Sequence, residues 1–291
     1  MYYIIMTWWI ILIIIIAVLI IPTLVRSAWE VRHLILTRYK LETDKIPVGR
    51  TVRLAFVSDL HSRRLGKNNE MLPEMMKKTA PDAILIGGDM INRGSDEGDV
   101  QCFEVLKKTA AAAPCYYAPG NHEKYIEAFG EDSERWKGFM DALKASRIKF
   151  LDNEKADINE GIVIYGLSLG YEYFRKKDPE TPDIKVIEDY IGKIDKNHYN
   201  IVLAHTPEYI KIYAETGADL VLSGHIHGGV VRLPGGRGLV STRAKLFPKY
   251  CYGVHEEGET KLITTSGAGS HHINIRLFNR PEIVLLEITG K

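Results

Sequence analysis

Cysteine is scarce in this chain: Cys102, Cys115 and Cys251 are the only three among 291 residues, and they are scattered. So few thiols cannot frame a disulfide-stapled fold, and they are expected as small buried side chains in a reducing compartment. An excess of charge of either sign is also lacking, with 38 Lys and Arg against 37 Asp and Glu and a net charge of +1. Without a strongly basic field the chain has no electrostatic means of collecting nucleic acid, so a nuclease role gains no support and no nucleic-acid partner is expected. Residues 228–238 are glycine-rich but lack the Gly-Lys-Ser/Thr ending of a phosphate-cradling loop, so these glycines read as turns.

Charge is missing altogether between Tyr2 and Val25, a run of 24 residues dominated by Ile and Leu, with Trp8 and Trp9 inside it. That run is long enough to cross the roughly 30 Å hydrocarbon core of a bilayer. No Lys or Arg precedes it and no small-x-small cleavage site closes it, so an uncleaved anchor is expected instead of a signal peptide. Arg26, Arg32, Arg38 and Lys40 follow directly. The positive-inside rule then puts the rest of the chain on the cytoplasmic side of the inner membrane.

Behind the anchor (residues 1–26), residues 27–50 read as a linker, Ser27 to His33, followed by an edge strand over Leu34 to Asp44, where apolar and polar side chains partly alternate. Residues 51–291 read as one catalytic domain, and about 240 residues of a chain with 45% hydrophobic content overall suffice for a large core. Apolar runs at Val52–Val57, Ala83–Ile86, Cys115–Ala118, Ile201–Leu203 and Leu220–Leu222 predict buried strands. Helical patterns at Asn69–Thr79, Val100–Lys108, Ser133–Ala145, Ile184–Ile194 and Glu208–Ala214 interleave with them, the rhythm of an α/β protein. Val230–Leu233, Lys261–Thr264 and Ile283–Ile288 are short strands between glycine-rich turns and suggest a second, mixed sheet.

Five short motifs follow the predicted strands in order: Asp59-x-His61, Gly88-Asp89, Gly120-Asn121-His122-Glu123, Ala204-His205-Thr206-Pro207 and Gly224-His225-Ile226-His227. The carboxyl ends of strands are where open α/β sheets collect ligands, so residues distant in sequence can converge there. Imidazole, carboxylate and amide oxygen without thiolate suit Mn, Fe or Zn at a catalytic site better than a closed structural zinc. Each pair alone could be a capped turn. Seven candidate ligands are too many for one ion, however, and two ions sharing a carboxylate, about 3.5 to 4 Å apart, would use them all and clamp a phosphoryl displacement.

These motifs, in this order over Leu54 to Ile288, resemble the calcineurin-like metallophosphoesterase superfamily. The resemblance implies two stacked mixed β-sheets flanked by helices. It implies one metal at Asp59, His61, Asp89 and His227 and a second at Asp89, Asn121, His205 and His225, with Asp89 as bridge. It further implies that a hydroxide between the ions attacks phosphorus while His122 stabilises charge or protonates the leaving group. The N-terminal span, with Ser58-Asp59-Leu60-His61 and Gly224-His225-Ile226-His227-Gly228-Gly229, is similar to the membrane-anchored bacterial phosphodiesterase branch, some relatives of which cleave UDP-diacylglucosamine. Val230 departs from the Gln common there. The expected substrate is therefore a lipid-linked or nucleotide-linked phosphodiester or pyrophosphate at the membrane. The alternatives are a phosphomonoesterase, a protein phosphatase or a non-catalytic scaffold. Arg63 and Arg64, directly after His61, are candidate contacts to a substrate phosphate, and His271 and His272, within residues 267–274, are candidate contacts on the rim of the site.

Overall fold

In the computed structural model of the chain, residues 2–129, 133–158, 161–175, 179–233, 235–241, 245–270 and 274–291 are described. Two six-stranded sheets stack face to face. Across the first sheet the order is β1 (Ile35–Val48), β14 (Glu282–Gly290), β2 (Thr51–Val57), β3 (Ala83–Ile86), β4 (Cys115–Tyr117) and β5 (Ile148–Phe150). Across the second it is β12 (Gly253–Glu257), β13 (Thr260–Thr264), β9 (Leu220–Ser223), β8 (Tyr199–Ala204), β7 (Ile162–Leu167) and β6 (Glu154–Ile158). Strands β2 to β5 run parallel, as do β13, β9, β8 and β7, while β14 lies antiparallel to β2 and parallel to β1.

Strand geometry explains why these runs are apolar without interruption. Successive side chains of a strand point to opposite faces. Leu54 and Phe56 enter the core between the sheets, with Ile164, Ile201 and Leu222 from the other sheet. Ala55 and Val57 face outward beneath α2 (Met71–Thr79), α3 (Asp99–Ala110) and α5 (Ser133–Ala145), beside Leu72, Leu106 and Phe139. A third cluster covers the outer face of the second sheet, where Val202 and Val221 meet Ile187 of α6 (Ile184–Ile191) and Ile210 of α7 (Ile210–Glu215). The result is the expected four-layer α/β arrangement.

Several expectations are corrected. The strand Ile283–Ile288 belongs to the first sheet as β14, because Val284 and Leu286 fill the inter-sheet core while Ile283 faces the helices. Val231–Arg232, as β10, lies outside both large sheets: it pairs with β11 (Gly238–Val240) in a two-stranded ribbon and makes a single parallel bridge to Leu277. Helix α6 stops at Ile191, short of Ile194, because Gly192 takes φ +75° and closes it, while Asp183 caps its start by accepting from Val186 N at 2.9 Å. No helical pattern anticipates α4 (Asn121–Phe129), whose first turn is built from one of the five candidate motifs.

The apolar N-terminus forms one helix, α1 (Tyr2–Glu30), with its described side chains exposed as far as Arg26 apart from half-buried Ala17. It continues through Ser27–Glu30, residues expected in a linker. Ser27 and Glu30 are buried: Ser27 Oγ accepts from Arg276 N at 3.0 Å, and Glu30 Oε2 accepts from Asn279 N at 2.9 Å. The last turn of α1 is thereby part of the globular body. So is β1, which places Leu41 and Ile46 in the inter-sheet core.

Candidate metal centre

Each motif sits where a strand ends, so both sheets deliver their polar residues to one edge. Asp59 and His61 follow β2, Asp89 follows β3, Asn121 and His122 open α4 after β4, His205 follows β8, and His225 and His227 follow β9. Turning abruptly at a strand end demands unusual backbone. Asp59, His61, Asp89, His225 and His227 all have positive φ, between 51° and 67°, a region L-residues seldom occupy. Cross-links hold them there: Asp59 N donates to Gly88 O and His61 N to Asp89 O, each at 3.0 Å, and Gly269 N donates to Asp59 O at 2.7 Å. The turn also needs glycine for space, because a Cβ on Gly224 would collide with the Asp59 carboxylate and one on Gly120 would lie 2.6 Å from Asp89 N.

The side chains converge in overlapping groups. Nε2 of His61 and Nε2 of His227 are 3.0 Å apart, and His227 Nε2 is 3.4 Å from Asp59 Oδ1. Nε2 of His205 lies 3.1 Å from Asp89 Oδ2 and 3.8 Å from Asp59 Oδ1. Asp89 Oδ2 is also 4.0 Å from His61 Nε2 and 3.8 Å from His122 Nε2, so it lies within reach of three imidazoles, those of His61, His122 and His205. Donor atoms of Asp59, His61 and His227 fall within 4.8 Å of one another, as do those of Asp89, His205 and His225.

Two observations test whether this set fits divalent ions. Asn121 Oδ1 is buried without a hydrogen-bond partner among the described residues, an amide acceptor whose desolvation none of them offsets. The set is also imidazole, carboxylate and amide oxygen, while Cys102, Cys115 and Cys251 are free and buried away from it. Both agree with an oxygen- and nitrogen-ligated pair of ions.

The electrostatics follow from burial. It pushes Asp59 up to about 6, His205 opposing. Burial would also raise Asp89, but the imidazoles of His122, His205 and His61 outweigh it and hold the carboxyl well below its usual range. Burial disfavours charge on His205, yet Asp89 and Asp59 lift it to about 9. His122 moves down, chiefly by burial. Arg93 N donates to His122 Nδ1 at 3.1 Å, which leaves the proton of the neutral ring on Nε2.

Residues with no assigned role complete the support. Glu123, buried in the first turn of α4, accepts from Asp89 N at 2.8 Å, Gly120 N and Met90 N at 2.9 Å each, and Tyr117 OH at 2.8 Å. Its place three residues after Gly120 is the capping-box signal that could have found it. Arg276 donates to the carbonyls of Ser266 and Gly269, and Asn279 to those of His227 and Gly229. No local pattern marks either. Arg63 and Arg64 line the cavity beside His61, whereas His271 and His272 lie outside the described residues.

Known proteins share this sequence over most of its length. A metallophosphoesterase of Aquifex aeolicus is 28% identical over 274 residues, covering 91% of this chain and 95% of its own. One from Helicobacter pylori is 30% identical, with 85% of this chain spanning 62% of that longer protein. Phosphodiesterase YaeI of Escherichia coli is 28% identical, covering 81% of this chain and 82% of its own. The family model described as calcineurin-like phosphoesterase matches residues 52–229. On that match the chain belongs to the calcineurin-like phosphoesterase family, metal-dependent phosphoester hydrolases that work with two divalent ions.

Proposed function

We propose that the chain is a membrane-anchored phosphodiesterase or pyrophosphatase acting on a lipid-linked or nucleotide-linked substrate. In this reading Asp59, His61, Asp89 and His227 hold one ion and Asp89, Asn121, His205 and His225 the other. The observation that carries it is the position of Asp89 Oδ2, near enough to both histidine groups to serve two ions at once. The diester preference is supported by the similarity to the relative named a phosphodiesterase.

Two divalent ions there would supply Lewis-acid charge and activate a water for attack on phosphorus. The chain's own groups orient and exclude. Asp59 is fixed by His225 N, which donates to its carboxylate at 3.0 Å. Asp89 is fixed by His122 N, which donates to Oδ1 at 2.8 Å and leaves Oδ2 for the centre. His122 holds a proton on Nε2 beside that oxygen, placed to stabilise charge or to pass the proton to the leaving oxygen.

One helix is apolar enough to cross a membrane, which supports anchoring, and the basic residues behind it favour a site on the cytoplasmic face. The deciding experiment supplies Mn and compares bis(p-nitrophenyl) phosphate, p-nitrophenyl phosphate and UDP-diacylglucosamine. Preference for the diester or for the lipid pyrophosphate is expected. Preference for the monoester would replace this reading with a phosphomonoesterase, and no turnover with two ions bound would replace it with a scaffold.

A further inference from the structure

A cavity of about 1180 Å³ joins the metal centre to the foot of the apolar helix. Its lining includes His61 and Gly269 at the centre and Val31 and Arg32, the two residues directly after α1. Four cationic side chains, Arg32, Arg63, Arg64 and Lys67, face one carboxylate, Glu97, among its described lining residues. A phosphodiester brings a single negative charge, and that charge belongs over the metals. Beyond the metals the four cations give the cavity a positive lining, and guanidinium forks suit the oxygens of a further phosphate.

The walls of this cavity are fixed to the helix. Arg63 Nε donates to Ser270 O at 3.2 Å across it, and the buried Ser27 and Glu30 tie the last turn of α1 to Arg276 and Asn279. The surface around that turn is apolar and exposed, with Trp29 at 48%, Phe278 at 51% and Ile275 at 42%. Arg26 lies over the Phe278 ring at 4.1 Å and Arg280 over the Trp29 ring at 5.0 Å. Aromatic rings beside cations at the end of a membrane span suit the headgroup level of a bilayer.

We infer, resting on the phosphodiesterase reading above, that this cavity takes the headgroup of a membrane lipid carrying a second anionic group besides the phosphodiester at the metals. The acyl chains leave past Val31 into the bilayer, and Arg32, Arg63, Arg64 and Lys67 set the specificity for the additional charge.

Calorimetric titration of the full-length, Mn-loaded chain in detergent tests this with three probes at equal phosphate concentration. Cardiolipin has two phosphodiesters, phosphatidylglycerol has one, and deacylated cardiolipin has two but no chains. The wild type should bind cardiolipin about tenfold more tightly than either of the others, the worth of one or two charge-assisted hydrogen bonds. In Arg64→Gln/Lys67→Gln the preference for cardiolipin over phosphatidylglycerol should shrink to about twofold, while Arg64→Lys/Lys67→Arg keeps it. Equal affinity for the two lipids in the wild type, or a preference that survives in the Gln variant, overturns the second-anion subsite. Deacylated cardiolipin binding as tightly as cardiolipin overturns entry from the bilayer. A metal-loaded chain inert toward bis(p-nitrophenyl) phosphate defeats the hydrolase reading instead, and the titration still reads the cavity.

Discussion

Asp89 keeps its backbone at φ 52° and turns one carboxylate oxygen toward His61, His122 and His205. On the proposed reading Asp89 would hold both ions, so Asp89→Ala should abolish hydrolysis and leave the purified protein without its two metals; elemental analysis finding two ions and normal turnover would rule out the shared role. On the same reading His122 is different in kind, because its Nδ1 is taken by Arg93 N and the proton of its neutral ring sits on Nε2, on the side of Asp89 Oδ2. His122→Ala should keep its metals and lose on the order of 10² to 10⁴ in kcat, with smaller losses for substrates whose leaving groups need no proton. Metal loss, or equal kcat losses across leaving groups, would count against the acid role. At this scale the sequence is most legible. All seven candidate ligands follow apolar strands, and a strand's end is a local property of the chain. Arg276 and Asn279 are not legible, because what they bind lies at Ser266, Gly269, His227 and Gly229, and only the folded chain brings those carbonyls to them.

Helix α4 shows how an element can hide behind a motif. Its first residues are polar, and its burial comes from Glu123 beneath the metal centre more than from an apolar stripe. Glu123→Ala would leave the buried N–H groups of Asp89, Gly120 and Met90 and the Tyr117 hydroxyl without their acceptor. A loss of roughly 3 kcal/mol is expected, seen calorimetrically as a fall in Tm of roughly 6 to 12 °C, together with weaker metal retention. An unchanged Tm would mean that water replaces the carboxylate at no cost. Strands were easier to read than their partners: Ile283–Ile288 is plainly apolar, but its register against β2 and β1 is a long-range property that the run itself does not encode.

Across the whole molecule, the apolar helix and the metal centre are joined through Glu30, Asn279 and the carbonyl of His227. Removing residues 1–25 keeps that joint, so the truncated protein should fold, bind two ions and cleave a soluble diester as the full chain does. Removing residues 1–33 leaves Asn279 N and Arg276 N without Glu30 and Ser27, and metal content should fall; equal loading of the two truncations would show the joint to be dispensable. The sequence shows the helix, through its uncharged length, but not its docking. The order of the first sheet has a further consequence, in time. Because β14 lies between β1 and β2, that sheet cannot close until residues 282–290 have left the ribosome, long after every metal-binding motif has been made. Until then Leu54 and Phe56 lack β14 beside them, and the half-made domain has an open seam. Nascent chains arrested before residue 282 should therefore remain sensitive to protease, and resistance should arrive in one step when the last strand is inserted.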